Sequence, residues 1–143
     1  MGTARETAVV VAHPWHCDAL GHMNTRHILA VVDEAGFVLL DRLGYGVAEG
    51  VADGLAWADV RIDTTLAHEI RPATVLTVLS RVTRVGGKSF THVHEVTSRG
   101  GEVVHAVARV TTARFDLRAR RAVPLPADFA ARAEPWFVVD EAQ

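Results

Sequence analysis

The sequence predicts an α+β domain in which a curled antiparallel sheet covers one long helix. Three observations carry this expectation. A Pro-free apolar segment runs from Arg26 to Leu43, a Val-rich run precedes it, and three long extended segments joined by Gly-containing turns come after it.

The first run, Thr7 to Trp15, is rich in β-branched residues and reads as a strand ending near Pro14. A polar loop, Cys17 to Met23, comes next. Asn24 or Thr25 can cap the helix beyond it, because either side chain can accept from a free N–H of the first turn. Ile28, Leu29, Val31, Val32, Ala35, Val38, Leu39, Leu40 and Leu43 cover most of that helix's circumference. This predicts burial on nearly all sides. Gly44 and Gly46 end it.

Leu55 to Ile70 reads as extended, and Arg71-Pro72-Ala73 breaks it. Val75 to Val85 and Ser89 to Thr97 form a hairpin across Gly86-Gly87, where positive φ is available. After a turn at Ser98-Arg99-Gly100-Gly101, Val103 to Phe115 makes the last long strand. Pro124 and Pro126 punctuate the segment beyond that strand. The expected unit is one domain over residues 1–143, with its core at about 7–130 and a short C-terminal tail holding Trp136 and Phe137. More apolar surface than one small sheet can cover points to self-association.

Composition narrows function. Of 143 residues, 49% are apolar and 22% charged, with 15 basic against 17 acidic side chains and a net charge of −2. Lys88 is the only lysine, so no basic field exists to neutralise a nucleic-acid backbone. No apolar run reaches the roughly 18 residues of a spanning helix. The start Met1-Gly2-Thr3-Ala4-Arg5-Glu6 lacks the plan of a signal peptide, and a lone Cys17 agrees with a reducing compartment. A cytoplasmic protein is expected.

The dense chemistry lies between Trp15 and Thr25. There Asp18, Gly21, His22 and Asn24 precede a helix start, whose free N–H groups and partial positive charge can hold an oxyanion. Asp18 can serve as nucleophile or as a base that activates water. Its local alternative is to cap a turn. Asp33 and Glu34 lie inside the apolar helix, where an ionised group needs a partner. Glu34 reads first as ion-paired or hydrogen-bonded to Arg or backbone across the sheet, and Glu69 as paired with Arg71. His13, His16, Cys17, His22 and His27 surround the site, but their spacing does not converge on a metal. His22 reads as a hydrogen-bonding support of the loop. His92 and His94 share a strand face and read as a satisfied pair, and Cys17 as a small buried residue.

The loop Asp18-x-x-Gly21-His22-Met23-Asn24 ahead of the helix, the stretch Ala67-His68-Glu69-Ile70-Arg71-Pro72-Ala73, and the exit at Val123 to Pro126 occur together and in order. In this the chain resembles the hot-dog fold acyl-CoA thioesterases of the 4-hydroxybenzoyl-CoA thioesterase group, over roughly Val9 to Phe129. The resemblance implies a bent sheet wrapped around the helix, a homodimer or homotetramer, and active sites between subunits. It also implies Asp18 as the catalytic carboxylate and the backbone N–H of Thr25 as the oxyanion donor, and, through a branch of hot-dog thioesterases that uses a helix carboxylate, Glu34 as the second candidate. The family usually carries an aromatic residue, most often Tyr, seven residues after the motif Gly; here Ile28 stands there. Gly21, His22, Asn24, Ile28 and Lys88 are the substrate-binding candidates, with Arg118, Arg120 and Arg121 as further cations for CoA phosphates. Acyl carrier protein stays open as the acyl donor.

Hydrolysis of an acyl-CoA is the expected activity, with no metal, nicotinamide, flavin or other cofactor. A hot-dog hydratase is an alternative, although the familiar Asp-to-His spacing of that branch is one residue longer than Asp18 to His22. A non-catalytic acyl-CoA sensor or binding protein is the other.

Overall fold

A computed structural model describes residues 2–140 of the chain. β1 (Arg5–Val11) stops earlier than the sequence suggests. Pro14 has no N–H to give a ladder, and Pro14–His16 winds into one 3-10 turn that opens the site loop. α1 (Thr25–Arg42) then begins with Asn24 as its cap, the side-chain oxygen accepting from the Arg26 N–H at 3.1 Å. Gly44, at φ 91°, closes it in the left-handed conformation that glycine takes without strain.

A short α2 (Val47–Ala52), which the sequence reading leaves as loop, leads to β2 (Leu55–Leu66). β3 (Val75–Val85), β4 (Ser89–Ser98) and β5 (Val103–Asp116) come next as antiparallel neighbours, and β6 (Arg121–Ala122) folds back on β5. The strand order is β1-β3-β4-β5-β2, so β1 and the twelve-residue β2 form the edges. The Gly86 N–H donates to Ser89 O at 2.8 Å and closes the expected hairpin, but neither Gly86 nor Gly87 uses positive φ. At Gly86 the requirement is space: a Cβ would meet the Ser89 oxygen at 3.0 Å.

The sheet curls over α1, as the resemblance implies. The first half of the helix packs Ile28, Val31, Val32 and Ala35 on Leu76, Val78, Ala106, Ala108 and Val110. Its second half packs Leu39, Leu40 and Leu43 on Val82 and Phe90. Burial on nearly all sides does not occur in the single chain: Leu29 is 39% exposed and Phe37 53%. One small sheet covers one face of a helix, and the opposite side needs another layer. The core also passes the expected boundary near 130. α3 (Phe129–Ala133) and Trp136 are buried against Leu39 and Leu43, and the Val138 N–H donates to Val82 O. Among the described residues no helix is long and apolar enough to cross a membrane.

Candidate active site

Asp18 starts a tight turn. Its carbonyl accepts from Gly21 N–H at 3.0 Å, and Gly21 sits at φ 85°, where a side chain would be strained. Its carboxylate accepts from the Leu20 N–H at 2.9 Å through Oδ1 and from the Asn24 amide at 2.8 Å through Oδ2. Asp18 is therefore a turn cap and an oriented carboxylate at once. Each oxygen keeps a further lone pair for chemistry. The Asn24 amide first, and the Leu20 N–H second, hold the carboxyl below the ordinary carboxylate range, so it is anionic at neutral pH.

Asn24 joins the two parts of the site. Its Nδ2 donates to Asp18 while its Oδ1 accepts from Arg26, so one side chain sets both the carboxylate and the helix start. This is an orienting role, where the sequence reading has Asn24 contacting substrate. Asn24 N–H donates to His16 O and Met23 N–H to Ile70 O, which pins the loop to the 3-10 turn and to the strap before β3. The Thr25 N–H makes no hydrogen bond to any described residue, and Thr25 is exposed. A free donor at a helix N-terminus thus stands one residue from the group that orients the carboxylate.

Other sequence candidates fall elsewhere. Glu34 and Asp33 are exposed, with no ion pair or hydrogen bond among the described residues, so the expected buried partners are absent. Glu34 lies nine residues past Thr25, about 13 Å along the helix axis. Ile28 is 6% exposed and packed in the core instead of at a pocket wall. Lys88 comes after β3 at the end opposite the site loop, and Arg118, Arg120 and Arg121 lie at that same far end beyond Asp116. Within one chain none of these cations is near Asp18. His22 makes only a long contact to Met23 O, 3.5 Å, and lies 3.9 Å from Glu69. Glu69 pairs with Arg71 at 3.0 Å, on the surface, where such a pair contributes little. Cys17 is half-buried and contacts His13 O.

His13, His16 and His27 gather as rings, with centroids 5.6 Å apart for His13 and His16 and 5.0 Å for His16 and His27. Partial burial, then His27 and His13, lower the pKa of His16. Among the described residues no three His, Cys, Asp or Glu side chains converge to hold an ion.

A second polar assembly, which the sequence reading sees only as the pair His92 and His94, crosses the sheet beneath α1. Thr112 donates to Asp59 Oδ1 at 2.6 Å, and His92 Nε2 meets Thr112 Oγ1 at 2.8 Å. His92 Nδ1 meets His94 Nε2 at 2.7 Å, His94 Nδ1 meets Ser80 Oγ at 2.6 Å, and Ser80 meets Thr7 at 2.7 Å. All five strands from β2 to β1 contribute. The Thr112-to-Thr7 members are buried, and Asp59 at the end is exposed. Burial lowers the pKa of both imidazoles, that of His94 to about 4, so both are neutral. Alternation along β2 could have placed Asp59 on the inner face, but its partners are on distant strands and carry no sequence spacing. Thr64, also missed, has a buried Oγ1 without a partner among the described residues.

The comparisons with known proteins agree with this fold. A family model described as the thioesterase-like superfamily matches residues 12–133. No curated protein matches the chain. Among solved structures, YbaW of Escherichia coli, named a probable thioesterase, is similar at 21% identity and TM-score 0.77, over 92% of this chain and 98% of that one. The 1,4-dihydroxy-2-naphthoyl-CoA thioesterase Slr0204 of Synechocystis is similar at 16% identity and TM-score 0.79, over 88% and 93%. SAV2348 of Staphylococcus aureus, solved in complex with CoA, is similar at 14% identity and TM-score 0.84, over 95% and 87%. The curled sheet over one helix, and a family match that runs from the end of β1 to the end of α3, make this chain a member of the thioesterase-like superfamily, thioester hydrolases of the hot-dog fold.

Proposed function

We propose that the protein hydrolyses acyl-CoA thioesters to the free acid and CoA, with Asp18 attacking and the Thr25 N–H holding the oxyanion. The observation that carries this reading is the Asn24 bridge, which orients the carboxylate at 2.8 Å and caps the helix whose next N–H is free. A thioester is an activated carbonyl, so a carboxylate and one fixed donor suffice as the core of the chemistry. An Asp18 oxygen attacks the carbonyl carbon and the carbonyl oxygen becomes an oxyanion against Thr25 N–H. The C–S bond then breaks, CoA thiolate leaves and takes a proton from solvent, and water hydrolyses the acyl–Asp18 anhydride. A carboxyl held below its ordinary range is anionic at neutral pH, the form that both attack and water activation need.

The assay is thiol release across an acyl-CoA panel, with enoyl-CoA hydration run in parallel. Thiol release without hydration is expected. Hydration without thiol release would move the site to the hydratases, and tight binding with neither would make the protein a sensor.

The working form is a homodimer or larger. Its support is the open edge of β2, where Val60 is 63% exposed, Ile62 52% and Leu66 51%, beside the uncovered Phe37 of α1. An unpaired twelve-residue edge with apolar side chains is a template for pairing, and a second copy satisfies it with a two-fold axis. Light scattering at micromolar concentration is expected to give at least twice the chain mass; a monomer would sink the shared-site architecture. The cytoplasm, where CoA esters are made and used, is the compartment this reading implies.

A further inference from the structure

The chain of hydrogen bonds under α1 has a direction. Thr112 Oγ1 donates to Asp59 Oδ1, so its single proton is spent there. Thr112 Oγ1 must then accept from His92 Nε2–H, which leaves His92 Nδ1 as acceptor for His94 Nε2–H. His94 Nδ1 accepts from Ser80, and Ser80 from Thr7. Both imidazoles are thereby fixed as neutral Nε2–H tautomers, and every donor in the chain points toward Asp59. Four buried side chains hold one carboxylate oxygen through Thr112, while Oδ2 has no partner among the described residues.

Asp59 lines a groove between α1 and β2. A register shift between Asp59 and Arg61 turns both Asp59 and Ile62 toward it. Its walls are apolar, including Leu29, Leu40 and Trp57, with Phe37 and Ile62 from the face proposed above for the second copy, so the groove runs along the subunit seam; its polar groups are Asp33, Asp59, Thr112 and His92. No lysine or arginine lines it. Such a groove suits an apolar body carrying a hydrogen-bond donor and repels a second anion. Leu29, one of its lining residues, stands one turn along α1 from the free Thr25 N–H. The polar row lies beneath Gly36, where a Cβ would stand 3.8 Å from His92. Gly36 is eleven residues past Thr25, about 16 Å along the axis, a span that an extended acyl chain covers.

We propose that this groove receives the acyl part of the thioester, and that Asp59 is a specificity-determining residue selecting acyl groups with a hydrogen-bond donor near their far end. This rests on the thioesterase reading and adds to it the class of acyl group. Asp59 acts far from the carbonyl, so its effect is read in KM.

The test compares dodecanoyl-CoA with ω-hydroxydodecanoyl-CoA and ω-aminododecanoyl-CoA, on the wild type and on Asp59→Asn. Asparagine can keep its oxygen toward Thr112 and turn an NH2 to the groove, replacing the open acceptor by a donor. The wild type is expected to show a KM about tenfold lower for the ω-hydroxy substrate, the scale of one hydrogen bond to a charged group. The ω-amino arm distinguishes a charge effect, as a larger gain, from hydrogen bonding alone. Asp59→Asn is expected to abolish the ω-amino gain, because an ammonium cannot accept from the new NH2, while the ω-hydroxyl can accept from it and keeps part of its gain. Equal KM values for all three substrates in the wild type would overturn the proposal, as would an ω-amino gain that survives in Asp59→Asn. Calorimetric binding of free ω-hydroxydodecanoate against dodecanoate reads the same preference without turnover. Loss of turnover with the preference kept would therefore strike the thioesterase reading alone; turnover without preference would strike only the role of Asp59.

Discussion

An Asp18→Asn variant is expected to fold, keep its assembly state, and lose thioester turnover by about 10²-fold or more, the scale of removing a catalytic acid, base or nucleophile. The amide is nearly isosteric and its oxygen still accepts from the Leu20 N–H. Its NH2 then faces the amide of Asn24, which must turn its oxygen inward and release Arg26 N–H. The loss of that cap costs about 1 kcal/mol, too little to unfold a domain. Thiol release by a variant shown to be folded by circular dichroism and light scattering is the readout. Label from heavy-oxygen water found in the Asp18 carboxylate after a single turnover of the wild type establishes nucleophilic attack with the anhydride opened at the Asp18 carbon; label only in the product acid fits water activation or opening at the acyl carbon. Near-normal turnover by the folded variant would remove Asp18 from the mechanism and promote Glu34.

The architecture is legible because local signals and packing agree. α1 has an uninterrupted apolar pattern, a cap at Asn24 and a glycine stop at Gly44, and the strands are Val-rich runs divided by Gly and Pro. The features that fail are those that depend on neighbours far along the chain. The apolar residues Leu29 and Phe37 look like core, yet the single chain has no layer to set against them. Trp136 looks like tail, yet Leu39, Leu43 and Phe129 leave a place for it. The positive φ expected at Gly86-Gly87 falls instead at Arg99, Gly100 and Gly101, because either pair of glycines permits it and strand register decides which turn uses it.

The site divides along the same line. The Asp18 turn, the cap and the free Thr25 N–H lie within eight consecutive residues, so their proximity is written in the sequence. The sequence does not say which side chain orients which, and Asn24 emerges as the bridge only once its two hydrogen bonds are seen. Asp59, Thr112 and Ser80 carry no motif at all. Their joining depends on the registers Asp59 to Thr112 and Ser80 to His94, set by the pairing of β2 with β5 and of β3 with β4. A polar residue on a concave sheet face is the one available signal, and His92 with His94 is its visible part.

The buried histidines make acid stability the second large expected effect. Burial lowers the pKa of His92 well below its ordinary value of 6.5, and that of His94 to about 4, with the neighbouring His94 and Arg81 charges adding to each. In the unfolded chain both imidazoles take up protons as pH falls through about 6.5. The folded protein does not follow until about pH 4 at His94. Between these limits the unfolded state binds more protons, so stability is complete above about pH 6.5 and falls as pH falls toward 4. His94 alone accounts for a loss on the order of 3 kcal/mol across that window. Asp18, Asp116 and Asp128 act elsewhere on the scale. Their carboxyls are held below the ordinary range in the folded protein, so their contributions are lost only as pH falls below about 4. Urea midpoints measured from pH 7.5 to 4.5 are therefore expected to decline smoothly, with a slope approaching two protons per molecule near pH 5. A His94→Asn variant, less stable at neutral pH because Ser80 and His92 lose their shared partner, is expected to show about half that slope. A flat midpoint over this window would mean that the pair is charged or solvated in the folded state, and would break the one-way chain that fixes Asp59.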